Sequence, residues 1–273
     1  MTSVDRYAVI GDPVAHSRSP EIHSAFAEQT GDPIEYTRIR ASTSEFDGVA
    51  RRFFASGGKG LNVTLPHKRA AYALADNKTV RAKRAQVANI LMQREDMIIG
   101  DNTDGAGLVV DLKRNIDLVL NGARIIILGA GGAASGILGP ILDEDPALVH
   151  IVNRNLERAH RLADLFLRVE VSDYESMPEE PFDLVVNATS AGHEGRCPTF
   201  KPEVIGQNTI GYDLTYGAPG QPFCKTVEEL GGRVFDGTGM LIEQAAESFF
   251  IWRGVRPRTD ALIKLFRGSD IVA

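Results

Sequence analysis

A lysine follows a predicted strand and a proline in the segment GLNVTLPHK, which runs from Gly60 to Lys68. Proline is favoured at the first position of a helix, so Pro66 predicts a helix start and places Lys68 in its first turn. A lysine in a cleft at that position can exchange a proton with a bound hydroxyl or carbonyl group. A solvated lysine at the start of a surface helix is the alternative interpretation, and this segment alone does not decide between them.

An aspartate in the segment GDNTDG, from Gly100 to Gly105, is the second candidate for chemistry. Asp104 directly precedes a helix predicted to begin at Gly105, and aspartate is a preferred N-cap residue. A carboxylate held in one direction at a helix start can pair with a lysine and accept a hydrogen bond from a substrate hydroxyl. Capping and catalysis are therefore compatible roles for Asp104.

Two serines occur in the loop GDPVAHSRSPEIHS, just ahead of a helix whose first predicted residue is Pro20. Ser19 is expected to be the N-cap of that helix. Hydroxyl groups beside a helix N-terminus also form a site for a carboxylate, because the N–H donors and the positive end of the dipole act together. Ser17 and Ser19 are therefore candidates for binding an acidic substrate, whereas His16 and His23 are interpreted as packing residues.

A glycine-rich turn follows a predicted buried strand in RIIILGAGGAA, from Arg124 to Ala134. In the dinucleotide-binding pattern, Gly129 makes the tight turn, Gly131 lets the backbone approach a pyrophosphate, and Ala134 lets the helix pack on the strand. The N–H groups at the helix start would face the phosphates. The predicted phosphate-binding turn consists of Gly129, Ala130, Gly131, Gly132 and Ala133. An ordinary strand-to-helix turn is the alternative for this motif alone.

The next predicted strand, Leu148 to Val152, is followed by Asn153, Arg154 and Asn155, and then by Arg158. NAD sites carry a carboxylate about 20 residues after the glycines, and none occurs here. Guanidinium groups pair with phosphate in bidentate geometry, so Arg154 and Arg158 indicate a pocket for a 2′-phosphate. We therefore predict NADP(H) as the cofactor, with Asn153 and both arginines near its adenosine phosphate. A solvated helical face is the alternative for the arginines.

The order of the predicted elements places these residues in two α/β layers. Strands and helices alternate from Tyr7 to Thr64, and a hairpin is predicted around Glu95 and Asp96. The dipeptide Asn121-Gly122 predicts a turn into a second α/β layer. Later strands of that layer are predicted at Asp183 to Ala188, Thr209 to Leu214 and Arg233 to Asp236.

We therefore expect an α/β fold with two domains. An N-terminal α/β substrate domain would comprise residues 1–104 and 239–273, and a Rossmann-type NADP-binding domain would comprise residues 105–238. Two C-terminal helices, from Met240 to Arg253 and from Thr259 to Phe266, are expected to return to the first domain. The first of these helices should be capped at Gly254.

The composition limits the classes of protein that this chain can belong to. Its 273 residues suffice for two modest domains, and 43% hydrophobic and 24% charged residues are typical of a soluble globular protein. A net charge of -6 argues against a nucleic-acid-binding surface and favours a small-molecule partner. Two cysteines without pairing motifs indicate a reducing compartment, so we expect a cytoplasmic location.

Neither a membrane span nor a metal site is expected. The uncharged stretch from Ile125 to Leu142 contains five glycines and Pro140, which the glycine turn explains better than a membrane helix does. The six histidines have no spacing typical of metal ligands.

Together these segments resemble the shikimate dehydrogenase family from about Tyr7 to Phe266. The resemblance extends to NATSAG at Asn187 to Gly192, YDLTYG at Tyr212 to Gly217, and DGTGMLIEQAA at Asp236 to Ala246, in that order. It implies reversible NADP-linked reduction of 3-dehydroshikimate to shikimate, in the synthesis of aromatic amino acids. The expected assembly is a monomer or a homodimer, without nucleic-acid or membrane partners.

The resemblance also implies roles for individual residues. Lys68 would carry the proton, and Asp104 would orient and support it. Leu214 and Gly237 would contact the nicotinamide end of the cofactor through backbone groups. The substrate carboxylate would be held by Ser17, Ser19 and Tyr216, and the ring hydroxyls by Thr64, Asn89, Asp104 and Gln244.

Three positions depart from the pattern of the family: Ser24, Ile90 and Asn155 replace its common Asn, Thr and Thr. Ile90 removes a hydroxyl next to Asn89, which leaves recognition of a related ring open. One alternative is a paralogue that acts on quinate or another hydroxylated cyclohexane carboxylate, although Ser19 favours shikimate by analogy. The other is an NADPH-binding sensor without turnover, which has no need of Lys68.

Overall fold

The computed structural model describes residues 4–166 and 168–269, which form two compact units. One unit extends to Gly107 and includes Leu241–Leu265, and the other comprises Leu108–Met240 and resumes at Phe266. The sequence-based division was placed after residue 104 and before residue 239, with the whole C-terminal stretch in the first domain. The end of the last helix instead packs with the second unit, where Arg267 forms an ion pair with the buried Asp111 at 3.0 Å.

The sheet of the first unit has six strands in the order β2-β1-β3-β5-β6-β4. Its first three strands are parallel, and the predicted hairpin is present as an antiparallel pair that joins them through β3 and β5. In chain order the strands are β1 (Asp5–Gly11), β2 (Ile34–Arg40), β3 (Gly58–Val63), β4 (Asn77–Lys78), β5 (Ile90–Arg94) and β6 (Met97–Asp101).

Five helices alternate with or follow the strands of this sheet along the described chain. Buried Phe46 and Phe54 of the second helix pack against Leu61 of β3 in one apolar cluster. The helices are α1 (Ser19–Thr30), α2 (Phe46–Ala55), α3 (Lys68–Leu74), α4 (Val80–Ala85) and α5 (Asp104–Val110), the last continuing into a π-helical turn at Asp111–Asn115. Pro66 lies two residues before α3, so the prediction that it occupies the helix start is wrong, while Lys68 does lie in the first turn.

The sheet of the second unit is entirely parallel, in the order β12-β11-β10-β7-β8-β9. This is the doubly wound order of dinucleotide-binding folds, whose ligands bind where the strand order reverses, here between β7 and β10. The strands are β7 (Arg124–Leu128), β8 (Leu148–Val152), β9 (Val169–Ser172), β10 (Leu184–Asn187), β11 (Ile210–Asp213) and β12 (Arg233–Phe235).

The apolar run of β7 follows from this arrangement. Ile125 and Ile127 belong to the apolar cluster on one face, and Ile126 and Leu128 belong to the cluster on the other. A parallel strand covered on both faces has apolar residues throughout rather than at alternate positions. The helices of this unit are α6 (Gly132–Leu142), α7 (Leu156–Ala163) and α8 (Gln221–Glu229).

Two helices complete the described chain: α9 (Thr238–Arg253) and α10 (Asp260–Ser269). α9 begins two residues before the predicted start at Met240 and ends at Arg253, as predicted. Gly254 follows it with a φ of 75°, the left-handed conformation expected of a C-terminal glycine. No helix in the described ranges is both long enough and apolar enough to cross a membrane.

Candidate active site

The first unit brings Lys68 and Asp104 together. Lys68 is the first residue of α3 and Asp104 the first residue of α5, 36 positions further along the chain. The Lys68 Nζ donates a hydrogen bond to the Asp104 Oδ2 at 2.5 Å, and the two side chains are 15% and 6% exposed. Because both are largely removed from water, their attraction is less screened than that of a surface ion pair.

Asp104 does not have the predicted capping role. Its own N–H donates to the Asn102 Oδ1 at 3.0 Å, so Asn102 supplies the side-chain acceptor at this helix start. The Asp104 Oδ1 accepts instead from the Asn89 Nδ2 at 2.8 Å, while Oδ2 accepts from Lys68. The helix begins one residue earlier than predicted, which frees the Asp104 carboxylate to hold the amine and the amide.

A buried set of amide and hydroxyl side chains surrounds this pair, and we call it the amide-hydroxyl network: Asn62, Asn89, Thr103, Gln244 and Ser248. The Asn89 Nδ2 lies 3.3 Å from the Gln244 Oε1, and the Asn89 Oδ1 accepts from the Thr103 N–H at 2.8 Å. The Ser248 hydroxyl donates to the Gln244 carbonyl at 2.8 Å and accepts from the Asn62 Nδ2 at 3.0 Å. Each member is at most 9% exposed.

A glycine allows α5 and α9 to approach each other at this network. A Cβ atom at Gly107 would lie 2.6 Å from the backbone nitrogen of Gln244 and 2.9 Å from its Cα. Contacts below 3.0 Å to backbone cannot be relieved by a side-chain rotation, so only glycine fits without moving a helix. This close approach brings Gln244 to the same place as Asn89.

Ser17 and Ser19 are also brought together. Their hydroxyl oxygens lie 3.2 Å apart, and the Ser17 Oγ accepts from the Ser19 N–H at 3.3 Å. Ser19 is the first residue of α1 rather than its N-cap, so that prediction is wrong, and the Ser17 hydroxyl satisfies the helix N–H instead. The Arg38 guanidinium fixes this loop through two hydrogen bonds to the Ser17 carbonyl, at 2.8 and 2.6 Å.

Thr64 and Ile90, which follow and belong to neighbouring strands of the first sheet, differ in their exposure to solvent. The half-buried Thr64 follows β3, and its Cγ2 lies 2.4 Å from where a Cβ of Gly11 would be, so the two residues pack closely. Ile90 is fully buried in β5, in register with Asn62 of β3 and Asp101 of β6. The isoleucine that departs from the family pattern is therefore a core residue.

The sequence analysis did not identify Tyr36 or the network members Asn62, Thr103 and Ser248. The Tyr36 hydroxyl donates to the Asn62 Oδ1 at 2.7 Å, which continues the network away from Ser248. His23 stacks on Tyr36 with ring centroids 4.2 Å apart, and burial lowers the pKa of His23 to about 3. His23 is therefore a neutral packing residue, as predicted. A polar asparagine in the buried strand β3 was the available sequence signal for Asn62.

The glycine turn of the second unit has the geometry of a phosphate-binding turn. Gly129 has a φ of 105°, and a Cβ there would lie 3.1 Å from the Ala188 carbonyl oxygen. Helix α6 begins directly after the turn, at Gly132, and the first N–H groups of a helix have no partners within it. The turn between β7 and β10 therefore presents the start of a helix at the carboxyl ends of these strands.

Residues after β8 hold the turn from the other side. The Asn153 Oδ1 accepts from the Ala130 N–H at 3.2 Å, and the Arg158 Nε donates to the Ala130 carbonyl at 2.9 Å. Asn155 caps α7 by accepting from the Arg158 N–H at 2.9 Å, so this departure from the family pattern keeps a capping function. Arg154 and Arg158 are both exposed.

The remaining predicted cofactor residues lie after β11 and β12 in the same unit. The Leu214 N–H donates to the Asn187 carbonyl at 3.0 Å, and the Gly237 N–H donates to the Thr215 carbonyl at 2.8 Å. A Cβ at Gly237 would lie 2.5 Å from the Leu214 carbonyl oxygen, so a side chain is excluded there. Tyr216 is half-buried in the same loop as Leu214, and so belongs to the second unit and not to the one that contains Ser17 and Ser19.

Models of known families match most of this chain. The matches are to the shikimate dehydrogenase substrate binding domain at residues 9–91, to shikimate / quinate 5-dehydrogenase at residues 111–194, and to the shikimate 5'-dehydrogenase C-terminal domain at residues 237–265. A Marinobacter nauticus protein named shikimate dehydrogenase (NADP(+)) is 49% identical over 271 residues, covering 96% of this chain and 98% of its own. The chain belongs to the shikimate dehydrogenase family.

Solved structures agree with this family assignment. An Ael1 enzyme from Pseudomonas putida has a TM-score of 0.89 and 41% identity, covering 96% of this chain and 98% of its own. Shikimate 5-dehydrogenase from Thermus thermophilus, solved with NADP(H) and shikimate, has a TM-score of 0.86 and 29% identity, covering 97% and 100%. The predicted family and the predicted two-domain α/β fold are confirmed.

Proposed function

We propose that this protein is an NADP-dependent shikimate dehydrogenase, which reversibly reduces 3-dehydroshikimate to shikimate. The observation that carries the proposal is the buried contact of 2.5 Å between the Lys68 amine and the Asp104 carboxylate. A pairing of this kind suits proton transfer at a carbon that bears a hydroxyl group. The named relatives of this family, such as the Marinobacter nauticus protein, support both the substrate and the NADP cofactor.

Lys68 transfers the proton in this mechanism. During reduction the ammonium form of Lys68 gives a proton to the oxygen of the substrate carbonyl and becomes a neutral amine, and during oxidation the neutral amine takes the proton of the hydroxyl group. Asp104 keeps the amine in one place through Oδ2, and its Oδ1 is held by Asn89. Bound NADP(H), held by the residues assigned to it in the second unit, would supply the hydride chemistry at the ring carbon that bears this oxygen. The protein thus supplies alignment and proton transfer.

The first unit is assigned to substrate binding. Ser17 and Ser19 offer two neighbouring hydroxyls at the start of the twelve-residue helix α1, where helix N–H groups add to the attraction for the substrate carboxylate. Tyr216, from the loop after β11, is assigned to the same carboxylate. The ring hydroxyls are assigned to Thr64, Asn89, Asp104 and Gln244.

The second unit is assigned to the cofactor. The pyrophosphate is placed at the turn of Gly129, Ala130, Gly131, Gly132 and Ala133. The 2′-phosphate is placed at Asn153, Arg154 and Arg158, of which Arg158 is already oriented by its bond to the Ala130 carbonyl. Leu214 and Gly237 are assigned to the nicotinamide end.

The remaining proposals concern location and assembly. We place the enzyme in the cytoplasm, as a monomer or a homodimer. The two cysteines, Cys197 and Cys224, are both free thiols, which is consistent with a reducing compartment.

The decisive experiment follows NADP⁺ reduction by the purified protein with shikimate and with quinate. We expect kcat/KM to be clearly higher for shikimate with NADP⁺ than for any other pair of substrate and cofactor. A preference for quinate would replace the proposal with the paralogue function. Binding of NADPH without turnover of either acid would indicate the sensor.

The Lys68→Met variant tests the mechanism within that experiment. We expect kcat to fall by about 10²- to 10⁴-fold with little change in the KM for shikimate, because a proton-transfer group acts mainly in the transition state. NADPH binding, which is assigned to the other unit, serves as the control for folding. Wild-type activity in Lys68→Met would exclude this lysine as the proton-transfer group.

A further inference from the structure

A buried carboxylate outside the proposed catalytic pair lies at the carboxyl end of the second sheet. Asp213 is the last residue of β11, is 0% exposed, and stands in register with Asn187, the last residue of β10. Its Oδ1 accepts from the N–H and the hydroxyl of Thr215, and its Oδ2 accepts from the Asn187 Nδ2 at 2.7 Å. Asp213 thus joins the loops that follow two neighbouring strands.

The orientation of the Asn187 amide is fixed by its other partner. The Asn187 Oδ1 accepts from the Thr189 N–H at 3.0 Å and from the Thr189 hydroxyl at 2.8 Å. The Nδ2 must therefore point towards Asp213, where it requires an acceptor. An ionised carboxylate accepts this bond together with both bonds from Thr215, whereas a protonated carboxyl has one O–H donor among three donor groups and so holds them less well.

The two joined loops both adjoin the proposed cofactor positions. The loop after β10 lies against the glycine turn, because a Cβ at Gly129 would be 3.1 Å from both the Ala188 carbonyl oxygen and the Thr189 Cγ2. The loop after β11 carries Leu214 and Tyr216. A change in the contact between Asp213 and Asn187 would therefore shift one side of the cofactor site against the other.

We infer that Asp213 is a positioning residue of the cofactor site, which aligns the loop of residues 214–217 by locking it to the loop that follows Asn187. The inference rests on the proposed function, since it assigns these loops to NADP(H). Asp213 acts through Leu214 and Asn187, and no contact of its carboxylate with the cofactor is required. The ionised form of Asp213 holds the two loops together, and protonation weakens that contact.

The surroundings of Asp213 bring its pKa into a pH range in which enzymes can be assayed. Burial raises the pKa of Asp213 to about 6, and the Asp236 carboxylate adds to the increase, while the bonds from Thr215 and Asn187 oppose it. Two further titratable groups interact with this carboxylate, the Cys197 and Cys224 thiols, whose pKa values are raised chiefly by burial. Cofactor affinity should therefore decline as the pH falls through about 6.

The first test is the Asp213→Asn variant. An amide at 213 can accept from Thr215 or from Asn187 but cannot satisfy both, so one loop loses its partner. We expect a rise of about tenfold in the dissociation constant for NADPH, measured by direct titration, and a similar rise in the KM for NADP⁺. The KM for shikimate should rise less than the dissociation constant for NADPH, because Tyr216 is the one proposed substrate contact in this loop and the other proposed contacts lie in the first unit.

The matched control exchanges the two side chains, Asn187→Asp with Asp213→Asn. The new carboxylate at 187 accepts from Thr189 and from the new amide at 213, whose oxygen accepts from Thr215, so every bond of the lock is restored. We expect NADPH affinity within about threefold of wild type and a recovered melting temperature. Failure of the exchange to restore affinity, in a protein that melts like wild type, would overturn the lock.

The pH dependence separates a lock from simple structural damage. Phosphate monoesters such as the 2′-phosphate also titrate near pH 6, so the readout is the difference between variants that bind the same cofactor. Between about pH 7 and pH 5, NADPH affinity should fall more steeply in wild type than in Asp213→Asn. The slopes of the logarithm of affinity against pH should differ by up to about one, which corresponds to one more proton coupled to binding in wild type. Parallel curves, or an unchanged NADPH affinity in Asp213→Asn, would overturn the inference.

Turnover of shikimate by the wild type distinguishes failure of the inference from failure of the proposed function. Normal turnover with no effect of Asp213→Asn would remove the inference alone. Weaker NADPH binding by Asp213→Asn in a protein that does not oxidise shikimate would remove the proposed reaction and leave the lock in place. A wild type that does not bind NADPH would remove both.

Discussion

The catalytic pair assigned to the substrate is fixed by other buried side chains, whereas the glycine turn assigned to the pyrophosphate takes its shape from backbone geometry. In the first unit, Lys68, Asp104 and Asn89 hold one another through buried contacts of 2.5 and 2.8 Å. In the second unit, Gly129 has a φ of 105° and the flanking arginines are exposed. A substitution in the buried set disturbs several partners, while loss of the exposed Arg154 should remove only its own interaction with the ligand.

The largest effect expected from this difference is in Asp104→Asn. The amide keeps the shape of the side chain but removes the charge that holds the Lys68 amine, and it presents a second amide to Asn89. We expect kcat to fall by about 10²-fold or more, with a rise in the KM for shikimate as well. Steady-state kinetics in both directions measure this.

Asp101→Asn is the matched control for that experiment. Asp101 is 3% exposed and pairs with Arg81 at 2.6 Å, so its loss should lower the melting temperature. The kcat of the folded fraction should stay within a few fold of wild type. Equal losses of kcat in the two variants would mean that Asp104 acts only through stability.

A second prediction concerns the packing behind the substrate residues. The pKa of His23 is lowered by burial to about 3, so the unfolded chain binds a proton at a higher pH than the folded chain does. The free energy of unfolding should therefore fall as the pH decreases from about 6.5 towards 3, by about 2 kcal/mol at pH 5.

His23→Phe removes this titration, because a phenyl ring can occupy the stacked position on Tyr36. Denaturant unfolding at pH 7 and pH 5 should show a smaller loss of stability in this variant than in wild type. His16→Gln, at an exposed histidine, should behave like wild type. An unaltered pH dependence in His23→Phe would show that His23 is not the group responsible.

A third prediction addresses the exposed cofactor side. Arg154→Ala should raise the KM for NADPH by about tenfold, because one charge-assisted contact to the 2′-phosphate is lost, and should leave the KM for NADH, which lacks this phosphate, unchanged. Arg161→Ala is the control, since Arg161 is an exposed arginine on α7 that pairs with Glu157. If NADPH and NADH were affected equally, Arg154 would have no role in recognition of the phosphate.

The smallest expected effect is in Ser248→Ala, within the amide-hydroxyl network. Ser248 bonds the Gln244 carbonyl at 2.8 Å and receives the Asn62 amide at 3.0 Å, so its loss leaves a buried donor without its acceptor. We expect the KM for shikimate to rise by about three- to fivefold with the KM for NADP⁺ unchanged. Ser248→Thr, which keeps the hydroxyl, should recover most of the loss; its failure to do so would favour a packing role.

The sequence predicted the glycine turn of the second unit better than the buried side-chain contacts of the first. The glycine turn could be predicted because RIIILGAGGAA is contiguous and its geometry depends on local backbone conformation. The predicted strands around it are present as β7, β8, β10, β11 and β12. Local patterns are sufficient where one short segment determines the conformation.

The amide-hydroxyl network could not be predicted in that way. Asn62 and Ser248 are 186 positions apart, and their contact depends on α9 packing over β3. The family resemblance identified Asn89 and Gln244, but it did not reveal Thr103 and Ser248, which hold them. Tyr36 was likewise missed, because an isolated tyrosine in a strand is typical of ordinary core packing.

Helix ends were the least accurate part of the prediction. Ser19 and Asp104 both have preferred capping side chains, yet each is the first helical residue, and Ser17 and Asn102 accept the backbone N–H groups. Helices α4 and α8 were not predicted. α4 has only six residues, and burial against the rest of the unit stabilises a segment too short to be stable alone.

Gly107 has a consequence for engineering the proposed substrate site. It bears no side chain and is assigned no contact with any ligand, yet the spacing of two helices, and with it the reach of the Gln244 amide, depends on its missing methyl group. Substitution of Gly107 is therefore a way to change the range of ring substrates, although a search limited to residues that contact the substrate would not include this position.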